Sequence, residues 1–464
     1  MLAPEGPRSS GPPAWREPRE GGDTLGAMLS CVQTVESVAS LSARIWPGFR
    51  LNSQVLILSN ERGGPLVIGG DPSPPVDYYR GDSSSLLFVR RGQPPDSLLG
   101  LRIGRDWHNQ HGVATIVPFN RARCLETLLH ETFHTFQLAK KESDRASFRF
   151  TGSASFPDSS LDELTLLLTE GHFLESALSA SSNSARSAAI GAAAAARAIR
   201  CAREFEPQCR LEQEVELLEG SAEYVSLTLL ASVSNRSPHI SATTELESRL
   251  RGISVMQLIG RAYRFHIGAA WIALAAEAHI PNWTDLIEHD GVDGAVVALQ
   301  ARSSHDAKTI LQSPTFVEAS KKLRDFSAKL LANEAARSDS VRRAFWLQPG
   351  IPVRILWMAS DGLSIHTSSG LSGATEFSLR DRSSNNHVQV HGPLLQTCCP
   401  PGLVVVIPLA ALKLAVDGTS VVLPGRDSVY RGRISLISRE LDLALRVADV
   451  VVRKDSISIR VVAW

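Results

Sequence analysis

The sequence has no net charge, few cysteines, little lysine and no long apolar run. Its 464 residues carry 48 basic and 48 acidic side chains. There is thus no bulk basic surface of the kind that drives binding to nucleic acid or to an anionic membrane, and neither is expected as a partner. Only 8 of the 48 bases are lysine, a bias that we attribute to codon usage and not to mechanism. Six cysteines are too few for a disulfide scaffold. Cys398 and Cys399 are adjacent and make poor partners for each other, and the remainder are expected as buried or free thiols. The most apolar stretches, residues 187–202 and 267–276, are broken by Arg or fall short of the roughly 20 residues that span a bilayer. They are expected as buried helices, with no membrane span. The first 24 residues are rich in Pro, Gly and charge and lack the apolar core of a secretory signal. They are expected as a disordered leader, which makes cytoplasmic residence the default. Gly63-Gly64 has no phosphate-loop Lys downstream, so no nucleotide site is expected.

What is present is chain enough for two to four domains at roughly 100–200 residues each. Residues 25–46 carry helical periodicity through Leu25, Met28, Leu29, Val32, Val35, Val38 and Leu41, stopped by Trp46-Pro47-Gly48. Short β-like runs at 54–59, 65–69, 86–90 and 112–117 are separated by Gly, Pro, Asn and Asp clusters that make turns. From Asn120 to about Phe345 the periodicity is helical, including an Ala-rich segment at 184–202. Beyond Trp346 the pattern alternates again, with β-branched runs at 353–357, 363–366, 375–379, 387–390, 403–407, 420–423 and 434–437. The expected class is α+β: a leader (1–24), a unit of helix plus small sheet (25–119) and helical lobe (120–345), and an all-β C-terminal domain (346–464).

One motif carries chemistry. Within residues 120–139, Asn120 is placed as an N-cap, and Leu125, Leu128, Leu129, Thr132 and Phe136 form an apolar stripe. His130-Glu131-Thr132-Phe133-His134 is an H-E-x-x-H, and residues i and i+4 of a helix share one face, so two imidazoles reach one metal. Chance produces this pattern in about 2 of 100 chains of this composition, and less often inside a helix that follows a strand. Glu131 sits where a carboxylate approaches a metal-bound water without ligating the metal.

A catalytic zinc needs a third protein ligand. On a regular helix Glu212, Glu216, Glu219 and Glu223 share one narrow stripe, which for Glu212 and Glu216 reads as a solvated acidic face. Glu219 lies nearest the apolar side, and Gly220, Ser221 and Ala222 allow another helix to come close. It is the first candidate, with Glu170 second and Glu216, Glu223 and His172 behind. Gln137, one turn after His134, is a candidate to orient that imidazole but reads more simply as a polar position. Cys201 and Cys209, taken as eight apart on one helix, do not make a metal pair.

These residues resemble the gluzincin zinc metallopeptidases, whose pattern is H-E-x-x-H followed on a later helix by a Glu, Gly and a small residue, here Glu219-Gly220-Ser221-Ala222-Glu223-Tyr224. The resemblance covers about residues 50–290 and implies a zincin-like fold with zinc on His130, His134 and Glu219. Eighty-four residues separate His134 from Glu219, more than in the aminopeptidase and thermolysin-like branches, so a helical insertion is expected at about 159–205. Where aminopeptidase-like members place an oxyanion-stabilising Tyr three residues before a Gly, this chain has Phe265 before Gly268. Tyr263, His266 and Tyr224 are the candidates for that role.

The resemblance and the motif together imply a zinc-dependent peptidase acting on a peptide or protein substrate, with Glu131 as general base and acid. Two alternatives stand beside it: a silent zincin-fold scaffold, and a zinc hydrolase of a non-peptide amide or ester. The strand at 112–117 is expected at a sheet edge, where it pairs with an extended peptide. The sequence assigns no oligomeric state.

Overall fold

In a computed structural model of the chain, the described residues are 24–59, 66–69, 79–80, 88–90, 102–107, 110–144, 147–148, 160–203, 206–233, 238–252, 262–303, 307–346, 351–356, 366–367, 374–381, 386–397, 402–407, 413–417, 419–421, 428–437, 441–452 and 457–463. They are mostly helical, with two sheets. The expected leader lies outside them, except for Thr24.

The periodic stretch at 25–46 forms two helices, α1 (Thr24–Ser37) and α2 (Ala39–Ile45), and Gly48 turns the chain at φ +83°. A six-stranded sheet comes next: β1 (Val55–Ser59), β2 (Leu66–Gly69), β3 (Tyr79–Arg80), β4 (Phe88–Arg90), β5 (Arg102–Trp107) and β6 (Gln110–Pro118), in the order β3-β4-β2-β1-β6-β5. The expected edge strand is therefore interior. Strand β6 pairs in parallel with β1, Val55 opposite Ala114, and antiparallel with β5, Arg102 opposite Ile116. The outer strand is β5, whose mixed Arg-Ile-Gly-Arg-Asp-Trp sequence has no β-alternation to announce it.

The helical lobe contains α3 (Cys124–Ser143), α4 (Leu161–Leu178), α5 (Asn183–Arg203), α6 (Glu206–Val215), a π-helical turn (Glu216–Gly220), α7 (Ser221–Val233), α8 (Pro238–Arg251), α9 (Ala262–Glu277), α10 (Trp283–Ala301), α11 (Ala307–Leu311) and α12 (Pro314–Trp346). Asn120 does not cap α3. Its Oδ1 accepts from the Ala122 amide in a preceding turn, and Arg123 is the residue before the helix. Helix α3 lies on β5 and β6 and against α7. Leu128, Leu129 and Phe133 are fully buried, each worth roughly 1.5–3 kcal/mol of transfer free energy. Trp46, Phe49, Phe133, Phe136 and Phe148 form an aromatic cluster behind α3, with centroids 5.1 Å apart for Trp46 and Phe133. The Trp46 indole donates to Glu288 at 2.7 Å, and the Thr115 and Thr135 hydroxyls join β6 to α3 at 2.6 Å.

Among the described residues two disulfides correct the expectation of free thiols. Cys31–Cys124 ties α1 to the start of α3, and Cys201–Cys209 ties α5 to α6. The second pair does not share one helix, because α5 ends at Arg203 and α6 starts at Glu206.

The chain divides into two units, Met1–Ser327 and Ala328–Trp464, with the division inside α12 and ahead of residue 346. In the second unit the described strands between Ile351 and Ala463 form a ten-stranded sheet. The strands Leu441–Val452, Ile457–Ala463, Ile351–Leu356, Gly402–Ile407 and Asn386–Thr397 pair in a closed circuit. Among the described residues no helix is long and apolar enough to cross a membrane.

Candidate metal centre

Helix α3 presents His130 and His134 one turn apart, as the motif requires. His134 is buried and His130 is partly exposed. Opposite them stands Glu219, on the π-helical turn between α6 and α7. His134 Nε2 lies 3.1 Å from His130 Nε2, and Glu219 Oε2 lies 3.2 Å from His130 Nε2 and 3.3 Å from His134 Nε2. Tetrahedral ligands at about 2.0–2.1 Å from one ion are separated by about 3.3–3.4 Å, so the near-equilateral triangle has the edge length that a single small divalent cation imposes. Two imidazole nitrogens and one carboxylate suit a first-row divalent cation and leave the remaining position to solvent or substrate.

The hydrogen bonds around the triangle argue the same way. Gln137 is fully buried, and its Nε2 donates to the Leu218 carbonyl at 3.0 Å and to Ser221 Oγ at 2.7 Å. Because a carbonyl only accepts, the amide orientation is fixed, and Gln137 Oε1 accepts from His134 Nδ1 at 2.6 Å. The proton of neutral His134 therefore sits on Nδ1, and the Nε2 lone pair faces Glu219 Oε2, which also only accepts. A positive charge has to bridge them. The pKa shifts express that demand: burial disfavours charge on His134, yet the Glu219 carboxylate beside it raises its pKa. Burial pushes Glu219 up, but the two imidazoles outweigh it and hold the carboxyl well below the usual range. A proton and a metal ion compete for the same electron pairs, so metal affinity at such a site drops as the pH is lowered.

The four glutamates do not form the solvated stripe of a regular helix. The π turn adds a residue to one turn and rotates the helix beyond it. Glu212 and Glu216 are fully buried among Arg197, Arg200 and Arg264, with Glu216 Oε2 at 2.5 Å from Arg197. Glu170 belongs to the same cluster, bonded by Arg197 at 3.0 Å, Arg200 at 2.7 Å and the Trp271 indole at 2.9 Å, and is not a ligand. His172 is exposed on α4. Arg197 and Arg200 are two cations three apart in the Ala-rich helix, and that spacing was the one sequence signal of a buried cluster behind the ligand turn.

Beside the triangle opens a cleft of about 440 Å³ that includes His130, Glu131, Arg123, Phe265, His266 and Arg249 in its lining. Glu131 is partly exposed there; its carbonyl accepts from the Thr135 hydroxyl, and its carboxylate is hydrogen-bonded to no described residue. His266 is oriented by Glu223, whose carboxylate oxygens lie 2.8 and 2.9 Å from Nδ1 and which also accepts from Arg249 at 2.7 Å. Burial raises the Glu223 pKa, but His266 and Arg249 bring it below the ordinary value. Tyr224 and Tyr263 are not brought to the cleft. Both are 1% exposed: Tyr224 stacks edge-on to Trp283, and the Tyr263 hydroxyl lies over Gly171. Of the three oxyanion candidates, His266 alone reaches the cleft. The roles of Glu223 and Arg249 come from α7 and α8 meeting α9 and had no local signal.

No family model, no curated protein and no solved structure matches this chain.

Proposed function

We propose that the chain is a zinc-dependent hydrolase of peptide bonds, built on a zincin-like unit of the gluzincin type with a β-rich C-terminal part. The observation that carries this reading is the His130, His134 and Glu219 triangle, with Glu131 on the same helix lining a cleft alongside. A zinc ion held there supplies a water whose pKa is lowered to about 7 and an electrophile for the scissile carbonyl.

The chain's own residues do the remaining work. Glu131 takes the water's proton and delivers it to the leaving amine. His266 in its doubly protonated form keeps Nδ1–H on Glu223 and offers Nε2–H to the oxygen on which negative charge develops. The cleft's volume lies in the range of small-ligand sites and admits a short stretch of extended chain. The order of sheet, α3 and a later ligand helix lying on α3 supports the zincin-like assignment, and the outer strand β5 beside α3 supports a peptide substrate.

Elemental analysis of the purified chain should find about one zinc per chain. His130→Ala and Glu219→Ala should lose it. Glu131→Gln should keep it and lower hydrolysis of a peptide library by about 10²–10⁴-fold. Iron in place of zinc, or full zinc in Glu219→Ala, overturns the reading. Zinc with turnover only of small amides or esters moves the substrate class. Sub-stoichiometric zinc with no turnover at all leaves a zincin-fold binding module.

A further inference from the structure

Glu219 is the ligand least fixed by local structure, since it sits on a π-helical turn and reaches across from a different helix. A π turn is an uncommon geometry with no strong propensity of its own, so something outside it has to hold it. The structure shows two restraints. Helix α9 crosses the turn at backbone contact: a Cβ added at Gly268 would lie 2.5 Å from the Glu216 carbonyl oxygen, and one added at Gly220 would lie 2.8 Å from Gly268 Cα. Both neighbouring atoms are main chain, so no side-chain rotation relieves either clash. From the other side Arg197 of α5 grips the Glu216 carboxylate at 2.5 Å and Glu170 of α4 at 3.0 Å.

We propose that Gly268 and the Arg197–Glu216 ion pair position Glu219 by clamping the Glu216–Gly220 turn, so that α9 and the helical pair α4–α5 set the affinity of the metal centre. The helical segment between His134 and Glu219 then has a definite role, because it supplies Arg197, Arg200 and Glu170, which hold the turn from behind. Gly268 touches no ligand atom; it acts only through the backbone that carries Glu219. Moving α9 outward by the roughly half an ångström or more that a Cβ only 2.5 Å from a main-chain oxygen demands would open the Glu219 edges of the triangle and leave the edge between His130 and His134, both on α3, unchanged.

The inference rests on the metal-centre reading, and the wild-type chain separates the two. If wild-type protein binds no Zn²⁺ in chelator competition, the metal-centre reading fails. If it binds and the variants below bind equally well, only the positioning claim fails.

Gly268→Ala and Glu216→Gln should each weaken Zn²⁺ binding by about 10–100-fold at a temperature where circular dichroism shows them folded. Gly191→Ala, whose Cβ would meet only the Ile310 side chain and Ser303 within 3.5 Å, should stay within about twofold of wild type. Affinities for Gly268→Ala and Glu216→Gln that match Gly191→Ala overturn the proposal. Hydrogen exchange on the wild-type chain gives a test that does not depend on a variant folding. By reciprocity, Zn²⁺ should slow amide exchange in the Glu216–Gly220 turn and also in α9 around Gly268. Protection confined to α3 and the turn, with α9 unchanged, overturns it as well.

Discussion

Gln137 offers the sharpest test of how the metal centre is organised, because its two ends do different work. Its Oε1 accepts from His134 Nδ1–H and so turns the Nε2 lone pair toward His130 and Glu219, where the proposed ion would sit, while its Nε2 ties α3 to the Leu218 carbonyl of the π turn and to Ser221 Oγ of α7. Gln137→Leu keeps the side-chain volume and removes both. The His134 Nδ1–H then has no acceptor in a buried site, a loss of about 1–3 kcal/mol, and the Leu218 carbonyl loses a donor. Ser221 is spared the full cost, since its hydroxyl still donates to the Leu217 carbonyl at 2.5 Å. The imidazole, no longer held in one tautomer, should bind Zn²⁺ about 10–100-fold more weakly. Gln137→Glu separates the two functions. A carboxylate accepts from Nδ1–H more strongly than an amide does, but its second oxygen faces the Leu218 carbonyl where an N–H stood at 3.0 Å. Zinc affinity should hold or rise while thermal stability falls. Chelator competition and calorimetry on the three proteins measure both quantities. Equal affinity changes in the Leu and Glu variants, or none in either, would refute the claim that Gln137 sets the His134 tautomer.

Acid should destabilise the first unit through Glu170 and Glu223. Burial raises both pKa values, but Arg200 and Arg197 for Glu170, and His266 and Arg249 for Glu223, outweigh it and leave each below the ordinary 4.5. The unfolded chain therefore takes up these protons first, so their contribution is fully present above 4.5 and is lost as pH falls through the folded values. Glu216, raised chiefly by burial, acts in the opposite sense, and Glu216→Gln should steepen the net loss. Urea midpoints that stay flat on acidification from pH 7 to about 3 would contradict this. Cys31, Cys124, Cys201 and Cys209 should resist thiol titration in denaturant until reduced. On loop entropy the Cys31–Cys124 bridge, with its separation of 93 residues, is worth about 4–5 kcal/mol, against about 2–3 for the Cys201–Cys209 bridge with its separation of 8. Paired Ser variants with the opposite ranking in calorimetry would reject that assignment.

How much of this fold was legible depended on how local each feature is. Helical periodicity found α3 through α12 as one helical tract because side chains three and four apart share a face whatever the tertiary context. The runs at 54–59, 65–69, 86–90 and 112–117 each overlap an observed strand, but their neighbours were not readable. Nothing in β1 or β6 announces that Val55 lies opposite Ala114 in a parallel pair, and that pairing moves β6 from the edge to the interior. Strand β5 carries Arg102, Gly104, Arg105 and Asp106 and is defined by its partner more than by its composition. The disulfides failed to register for the same reason. Cys31 and Cys124 meet only because α1 packs on α3, and Cys201 and Cys209 lie on two helices, α5 and α6, and not on one.

The metal centre divides along the same line. His130, Glu131 and His134 were readable outright, since i and i+4 on one helix is a local fact. Glu219 was readable through its neighbours: Gly220 is small because α9 passes against it, and a carboxylate at a packed boundary needs a partner. The directions of the other glutamates were not readable, because the helical wheel assumes an unbroken 3.6-residue period. A turn that α9 and the Arg197 cluster hold in π geometry violates that assumption at Glu216–Gly220. Glu212 and Glu216 consequently face three buried arginines, Glu219 faces two histidines, and Glu223 faces His266 and Arg249. Four acids that share one stripe on a regular helix thus take three different sets of partners, and α9, some 50 residues further along the chain, packs against the turn that carries Glu219.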